Sequence, residues 1–184
     1  MAAQPCDQPT RRFGVGVVVG DGLVATAAHT VEDDLRRLTV DDESAVLVAI
    51  DPRTDLALLV PSADVGAAVR YAPAPDELPA PAVVVGPDGA IDVEVVRTGD
   101  LVVDDTTAGR RWTRRTHRFR GEVAGGTSGA PLLDLDGRLL GIVVLTMRAR
   151  DESYAVSVDE LEALLATVDG GAGGGLPSPS GGLC

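Results

Sequence analysis

Lysine and asparagine are missing from the 184 residues altogether, all sixteen basic side chains are arginine, and aromatic residues make up only 3%. With so few rings the core must be packed from Val, Leu and Ala, and Val-rich runs favour strands over helices. The lack of lysine beside abundant arginine reads as GC-rich coding and carries no function. No apolar run approaches the roughly 20 residues that a membrane-crossing helix needs, and Met1 to Thr10 has no apolar centre of signal-peptide kind. Cysteine is confined to Cys6 and Cys184 at the two ends. Two thiols so placed make no disulfide framework; they read as reduced, and the chain as cytoplasmic. A net charge of −12 leaves no basic face for nucleic acid or an anionic membrane, so neither is expected as a partner.

What is present is organised by turns. Val-rich residues 13–19 predict a strand, Gly20-Asp21-Gly22 a hairpin turn, and Leu23–Ala27 its partner. Strand signals follow at 38–40, 45–50 and 56–60. After a Pro-, Ala- and Asp-rich connection over 61–81 they resume at 82–85, 91–98, 111–119, 130–133, 139–144 and 154–157. Short strands at this spacing indicate an all-β barrel or sandwich. One helix is expected over 158–168, with Ser157 and Glu160 spaced as a capping box and Val156 and Leu161 as a hydrophobic staple. Residues 1–12 and the Gly/Pro/Ser-rich 169–184 read as tails around a domain over 13–168.

Three motifs bear on chemistry: Thr26-Ala27-Ala28-His29, Asp55 before the apolar Leu56-Ala57-Leu58-Leu59, and Gly126-Thr127-Ser128-Gly129-Ala130-Pro131. They place a His, an Asp and a Ser in that order, 26 and then 73 residues apart. A serine hydroxyl is a poor nucleophile until an imidazole takes its proton, and the imidazole needs a carboxylate to fix its tautomer and stabilise the cation that forms.

These motifs resemble those of the chymotrypsin-like serine peptidases, and look closest to the compact bacterial branch that includes the HtrA (Deg) peptidases. The resemblance covers roughly residues 13–168 and implies two six-stranded antiparallel β-barrels, about 13–70 and 80–157, followed by the helix. It implies a serine endopeptidase of polypeptide substrates needing no metal or cofactor, with His29 as base, Asp55 orienting it and Ser128 as nucleophile. The backbone amides of Gly126 and Ser128 would form the oxyanion hole. Glu122 falls where the floor of the primary specificity pocket is expected, either selecting Arg or Lys or turning to solvent. Val144, Leu145 and Thr146 would line the pocket edge and pair with the substrate backbone. The sequence departs from secreted relatives at Thr30, where they carry a Cys. It departs from zymogen-activated ones at Thr127, where they carry an Asp. No PDZ-like stretch follows the helix.

Competing readings stand beside these. The barrel is either a working enzyme, or a latent or inactive module that recruits an activating or tethering partner, as in a bacterial defence or signalling system. The six arginines between Arg110 and Arg120 read as a solvated strand paired with carboxylates, with Trp112 at a barrel edge or a partner contact, and His117 as a strand or surface histidine. Gly14-x-Gly16 begins like a dinucleotide fingerprint, but strand residues follow where a helix should start. The pairs Asp33-Asp34, Asp41-Asp42 and Asp104-Asp105 lack the spacing of a calcium loop and read as turn residues.

Overall fold

The computed structural model describes residues 13–20, 22–32, 38–105, 110–121, 123–147 and 151–170. Both tails, Glu122, Asp33-Asp34 and the Gly20–Gly22 turn at Asp21 lie wholly or partly outside them. Strands β1 (Val17–Gly20), β2 (Leu23–Ala27), β3 (Thr39–Val40), β4 (Glu43–Asp51) and β5 (Leu56–Pro61) form an antiparallel sheet in the order β1-β2-β5-β4-β3. The resemblance implied six strands here; five are present among the described residues. The second unit is a closed barrel of six, β6 (Ala80–Gly86), β7 (Gly89–Asp105), β8 (Arg110–Arg120), β9 (Pro131–Leu133), β10 (Leu139–Met147) and β11 (Glu152–Ser157), in the order β10-β11-β8-β7-β6-β9. Helix α1 (Val158–Gly170) follows, taking in two residues that composition had assigned to the tail. Among the described residues no helix is long and apolar enough to cross a membrane.

Strand periodicity explains why the apolar run at 56–59 is unbroken. Ala57 and Leu59 face one way, packing with Val24, Ala28 and Val31 inside the first sheet. Leu56 and Leu58 face the other, packing with Ala25 and Ala27 against Leu139, Ile142, Val144 and Val156 of the second barrel and Val158, Leu161 and Leu164 of the helix. This shared layer fixes how the two sheets dock. Truncating the fully buried Leu58 to Ala costs about 2–5 kcal/mol by the usual behaviour of core leucines. A third cluster, including Val84, Val95, Phe119, Leu132 and Val143, fills the second barrel.

The Pro-rich connection is fastened to both units. Its Val69 amide donates to Val18 at 2.9 Å and its Ala72 amide to Leu139 at 2.8 Å, while Arg70 accepts from the Leu139 amide at 2.7 Å. Tyr71 donates its hydroxyl to the Val19 carbonyl at 2.7 Å.

Asp104 and Asp105, expected as turn residues, instead end strand β7 in register with Arg111 and Arg110. The capping box does not form: the buried Ser157 hydroxyl has no partner among the described residues. The Glu160 carboxylate is drawn instead to the Arg115 amide of β8, at 2.9 Å. His117 lies in strand β8, one of its two expected places, and is 1% exposed in the second barrel, with Nδ1 2.8 Å from the Thr98 hydroxyl. Asp41 and Asp42, by contrast, do turn the chain between β3 and β4, both at positive φ, the backbone that a tight hairpin turn demands.

Candidate active site

His29 is delivered by the end of β2, where the chain winds into a single 3-10 turn over Ala28–Thr30. The Thr30 hydroxyl braces that turn by donating to the Ala27 carbonyl at 2.6 Å. Thr30, at the position where secreted relatives carry a cysteine, thus supplies by hydrogen bonding a local restraint on the turn. Asp55 closes the tight connection between β4 and β5 at φ +64, a conformation that Asp tolerates better than most side chains. Its own carbonyl accepts from the Ala28 amide at 2.9 Å, so the two loops are joined through backbone before the side chains meet.

The Asp55 carboxylate accepts twice from His29, Oδ1 from the backbone amide at 2.9 Å and Oδ2 from the ring Nδ1 at 2.8 Å. A carboxylate only accepts, which places the imidazole proton on Nδ1 and leaves Nε2 as an acceptor. That nitrogen lies 3.0 Å from Ser128 Oγ, close enough for the hydroxyl to donate to it. The three side chains named from the sequence therefore form one continuous hydrogen-bonded line, with His29 about one-third exposed and Asp55 more enclosed.

Ser128 sits in the loop before β9, and its backbone is held from both units. Its carbonyl accepts the Val15 amide at 2.8 Å, and the neighbouring Gly129 amide donates to Val143 at 2.7 Å. Gly129 has φ +86, and a Cβ there would lie 2.0 Å from the Val15 carbonyl oxygen and 2.3 Å from Thr26 Oγ1; only glycine fits. Thr127 is buried, its hydroxyl donating to the Ala124 carbonyl at 2.9 Å. It points away from the cleft and staples the loop on which Gly126, at φ +89, turns. Neither the Gly126 nor the Ser128 amide donates to any described residue.

The remaining candidates separate. Thr146 lines a cavity of about 430 Å³ together with Gly121, Val123, Ala124, Asp151, Glu152 and Ser153, beginning at the foot of the Ser128 loop. Val144 does not line it: its side chain is buried in the layer between the two units, and Leu145 packs against the same layer. Val144 is left only its backbone to act on a ligand, whereas Leu145 is partly exposed. Sequence reasoning passed over Ser153 and Glu152. Glu152 is held by Arg118 at 3.1 Å and accepts from the Tyr154 hydroxyl at 3.3 Å. It also passed over Arg114, which is buried behind Asp55 with Nη1 donating to the Thr54 carbonyl at 2.9 Å. Alternation in β8 gives Arg114 the parity of the buried Thr116 but also of Arg118 and the exposed Arg120, so it does not single Arg114 out.

Comparison with known proteins speaks to the family and the fold. A family model described as a trypsin-like peptidase domain matches residues 14–142. No protein of curated function matches the chain by sequence. Among solved structures, the inactive form of the Rv3671c protease superposes with a TM-score of 0.72 at 27% identity, over 84% of this chain and 83% of that one. The active form of the same protease, from M. tuberculosis, gives 0.73 at 24% identity over 91% and 76%. The HtrA-type protease AlgW bound to a decapeptide gives 0.68 at 18% identity over 86% of this chain and 52% of its own, which speaks to the fold alone. The fold is chymotrypsin-like, two antiparallel barrel-like sheets and a C-terminal helix, and with its family model matching well over half of the sequence this chain belongs to the trypsin-like peptidase domain family of serine proteases.

Proposed function

We propose that the chain is a serine endopeptidase in which Ser128 is the nucleophile, His29 the general base and acid, and Asp55 the carboxylate that orients it. The observation that carries this reading is the unbroken line from Ser128 Oγ through His29 to Asp55, at 3.0 and 2.8 Å. Nothing in barrel packing requires three polar side chains from three separate loops to converge.

The chemistry follows from the donors and acceptors. As Ser128 Oγ attacks a peptide carbonyl carbon, its proton passes to His29 Nε2, and the imidazolium is stabilised by the Asp55 carboxylate. His29 then returns that proton to the departing amine, leaving an acyl group on Ser128. Water, deprotonated by His29 in its turn, releases the acyl group. The Gly126 and Ser128 amides are assigned to the developing oxyanion; a donor of this kind is typically worth about 10²–10³ in turnover. The cavity under the loop is assigned to the side chain before the cleaved bond. Its Glu152 is already paired with Arg118, so the polar groups on offer are the hydroxyls of Thr146 and Ser153, which lie 3.3 Å apart, and the carboxylate of the exposed Asp151. This argues for a polar or basic side chain, with Glu122 as a further residue that would shift the preference toward Arg or Lys.

Labelling by a fluorophosphonate probe tests the reading directly. Wild type is expected to label, and Ser128→Ala and His29→Ala are not. Equal absence of labelling in all three would leave a non-catalytic barrel as the account.

A further inference from the structure

We infer that Arg114 is a positioning residue, reaching from the second barrel to hold the turn that carries Asp55 and to keep its carboxylate against His29. This rests on the reading of Asp55 as the orienting carboxylate.

The side chain of Arg114 is only 8% exposed, and its Nη1 lies 3.8 Å from Asp55 Oδ2, on the oxygen that receives the His29 ring proton. The same Nη1 donates to the carbonyl of Thr54, the residue immediately before Asp55. One guanidinium thus meets both the backbone leading into Asp55 and the carboxylate itself. Asp55 needs such a restraint, because it sits at φ +64 and both of its bonds run toward His29. Arg114 adds a contact to Oδ2 and to the backbone just before Asp55.

Its Nε is buried with no partner among the described residues, so the guanidinium is taken out of water without full compensation. Removing it alone still costs stability, because the Asp55 charge and the buried Thr54 carbonyl lose a partner. Burial lowers the affinity of the guanidinium for its proton and the Asp55 charge raises it, as expected for a cation enclosed mainly to face one anion. The strand that bears it is braced from the helix, the Arg115 amide donating to Glu160 and the Arg115 side chain lying 3.4 Å from Asp159. Because Thr54 and Asp55 belong to the first sheet and Arg114 to the second barrel, the contact makes alignment of the triad depend on how the two units dock.

The test compares Arg114→Met and Arg114→Lys with wild type by three readouts. Arg114→Met is expected to fold with a lowered melting temperature, and labelling is read well below that temperature. Its probe-labelling rate at saturation should fall about 10- to 100-fold with half-saturation unchanged, the loss expected when a catalytic group is slightly misplaced. Arg114→Lys should recover part of that rate. In an Asp55→Asn background the Met substitution should cost less than about threefold, since residues acting through one another are not additive. The third readout is the downfield proton resonance of His29 Nδ1–H, assigned by its loss in His29→Ala, which should weaken in Arg114→Met. Labelling of Arg114→Met at the wild-type rate, or the same loss in both backgrounds, would overturn the inference. If wild type itself fails to label, the protease reading fails, and the resonance alone decides: weakened in Arg114→Met it supports the positioning role, unchanged it overturns it. Should Arg114→Met not fold, Arg114→Lys carries the comparison, and wild-type labelling and resonance in Arg114→Lys would overturn the role.

Discussion

Asp55 holds His29 by both of its oxygens, one on the backbone amide at 2.9 Å and one on the ring at 2.8 Å. The ring is therefore fixed relative to the main chain that carries it, and the two oxygens do separable work. Asp55→Asn keeps an oxygen for the amide but turns an NH₂ group toward Nδ1, favouring the tautomer that cannot accept from Ser128. The variant is expected to fold with a melting temperature close to wild type and to lose about 10⁴ in turnover. Single-turnover labelling beside a thermal melt checks this. Activity within tenfold of wild type would show that the carboxylate does not set the tautomer.

Gly126 and Gly129 flank the nucleophile and both have positive φ, yet their surroundings differ. A Cβ at Gly129 would collide with the Val15 carbonyl and Thr26, whereas at Gly126 the nearest atom is Pro87 Cγ at 4.0 Å. Gly129→Ala must displace backbone in a packed region, so unfolding free energy should drop by about 3 kcal/mol or more. Gly126→Ala meets only the backbone strain of its left-handed conformation, about 1–3 kcal/mol, while the shifted amide lowers turnover by about 10². Urea unfolding of both variants, read with probe labelling, separates the two. Equal destabilisation would remove the distinction drawn between them.

The grouping of His29, Asp55 and Ser128, the strands of the second unit and the helix were legible because each leaves a local signature: short motifs around the three residues, and turn glycines beside alternating apolar residues. What escaped was set by contacts between distant segments. Glu160 is spaced for a capping box with Ser157, but the unpaired Arg115 amide of β8 competes for it and wins. Arg114 looks like its arginine neighbours, and only the docking of the second barrel onto the Asp55 turn distinguishes it. Val144 reads as pocket lining from its place after the serine hairpin. A register shift between Val143 and Leu145 accompanies its burial in the shared layer, and a bulge of that kind has no sequence signal.

Cavity filling tests the assignment of the specificity pocket. Thr146 is half-buried at its wall, and Thr146→Phe places a ring in the space assigned to a substrate side chain. Cleavage of a peptide library should fall by about 10- to 100-fold in kcat/KM, the discrimination that a filled hydrophobic pocket typically imposes. Labelling by a small fluorophosphonate, which does not enter the pocket deeply, should change much less. A parallel loss of both would mean that Thr146 supports the loop instead of lining the pocket.

His117 gives the fold a pH dependence of its own. Burial is the chief cause that holds its pKa below the usual 6.5; hydrogen bonding to the Leu140 carbonyl opposes this, the Arg115 charge adds to it and the Asp159 charge opposes it. His117 Nδ1 lies 2.8 Å from the Thr98 hydroxyl, a group that can donate or accept. The unfolded chain binds a proton at His117 near the ordinary histidine pKa, whereas the folded chain resists until lower pH. Stability from the neutral ring is therefore complete above about pH 6.5 and declines as pH falls toward the depressed folded value. Denaturant unfolding at about pH 7.5 and about pH 5.5, a window above most carboxylate titration, should show wild type losing stability that His117→Gln retains. His29 is the only other histidine and is carried unchanged in both proteins, so its own titration cancels in the comparison. An equal loss in His117→Gln would assign the pH dependence to other groups.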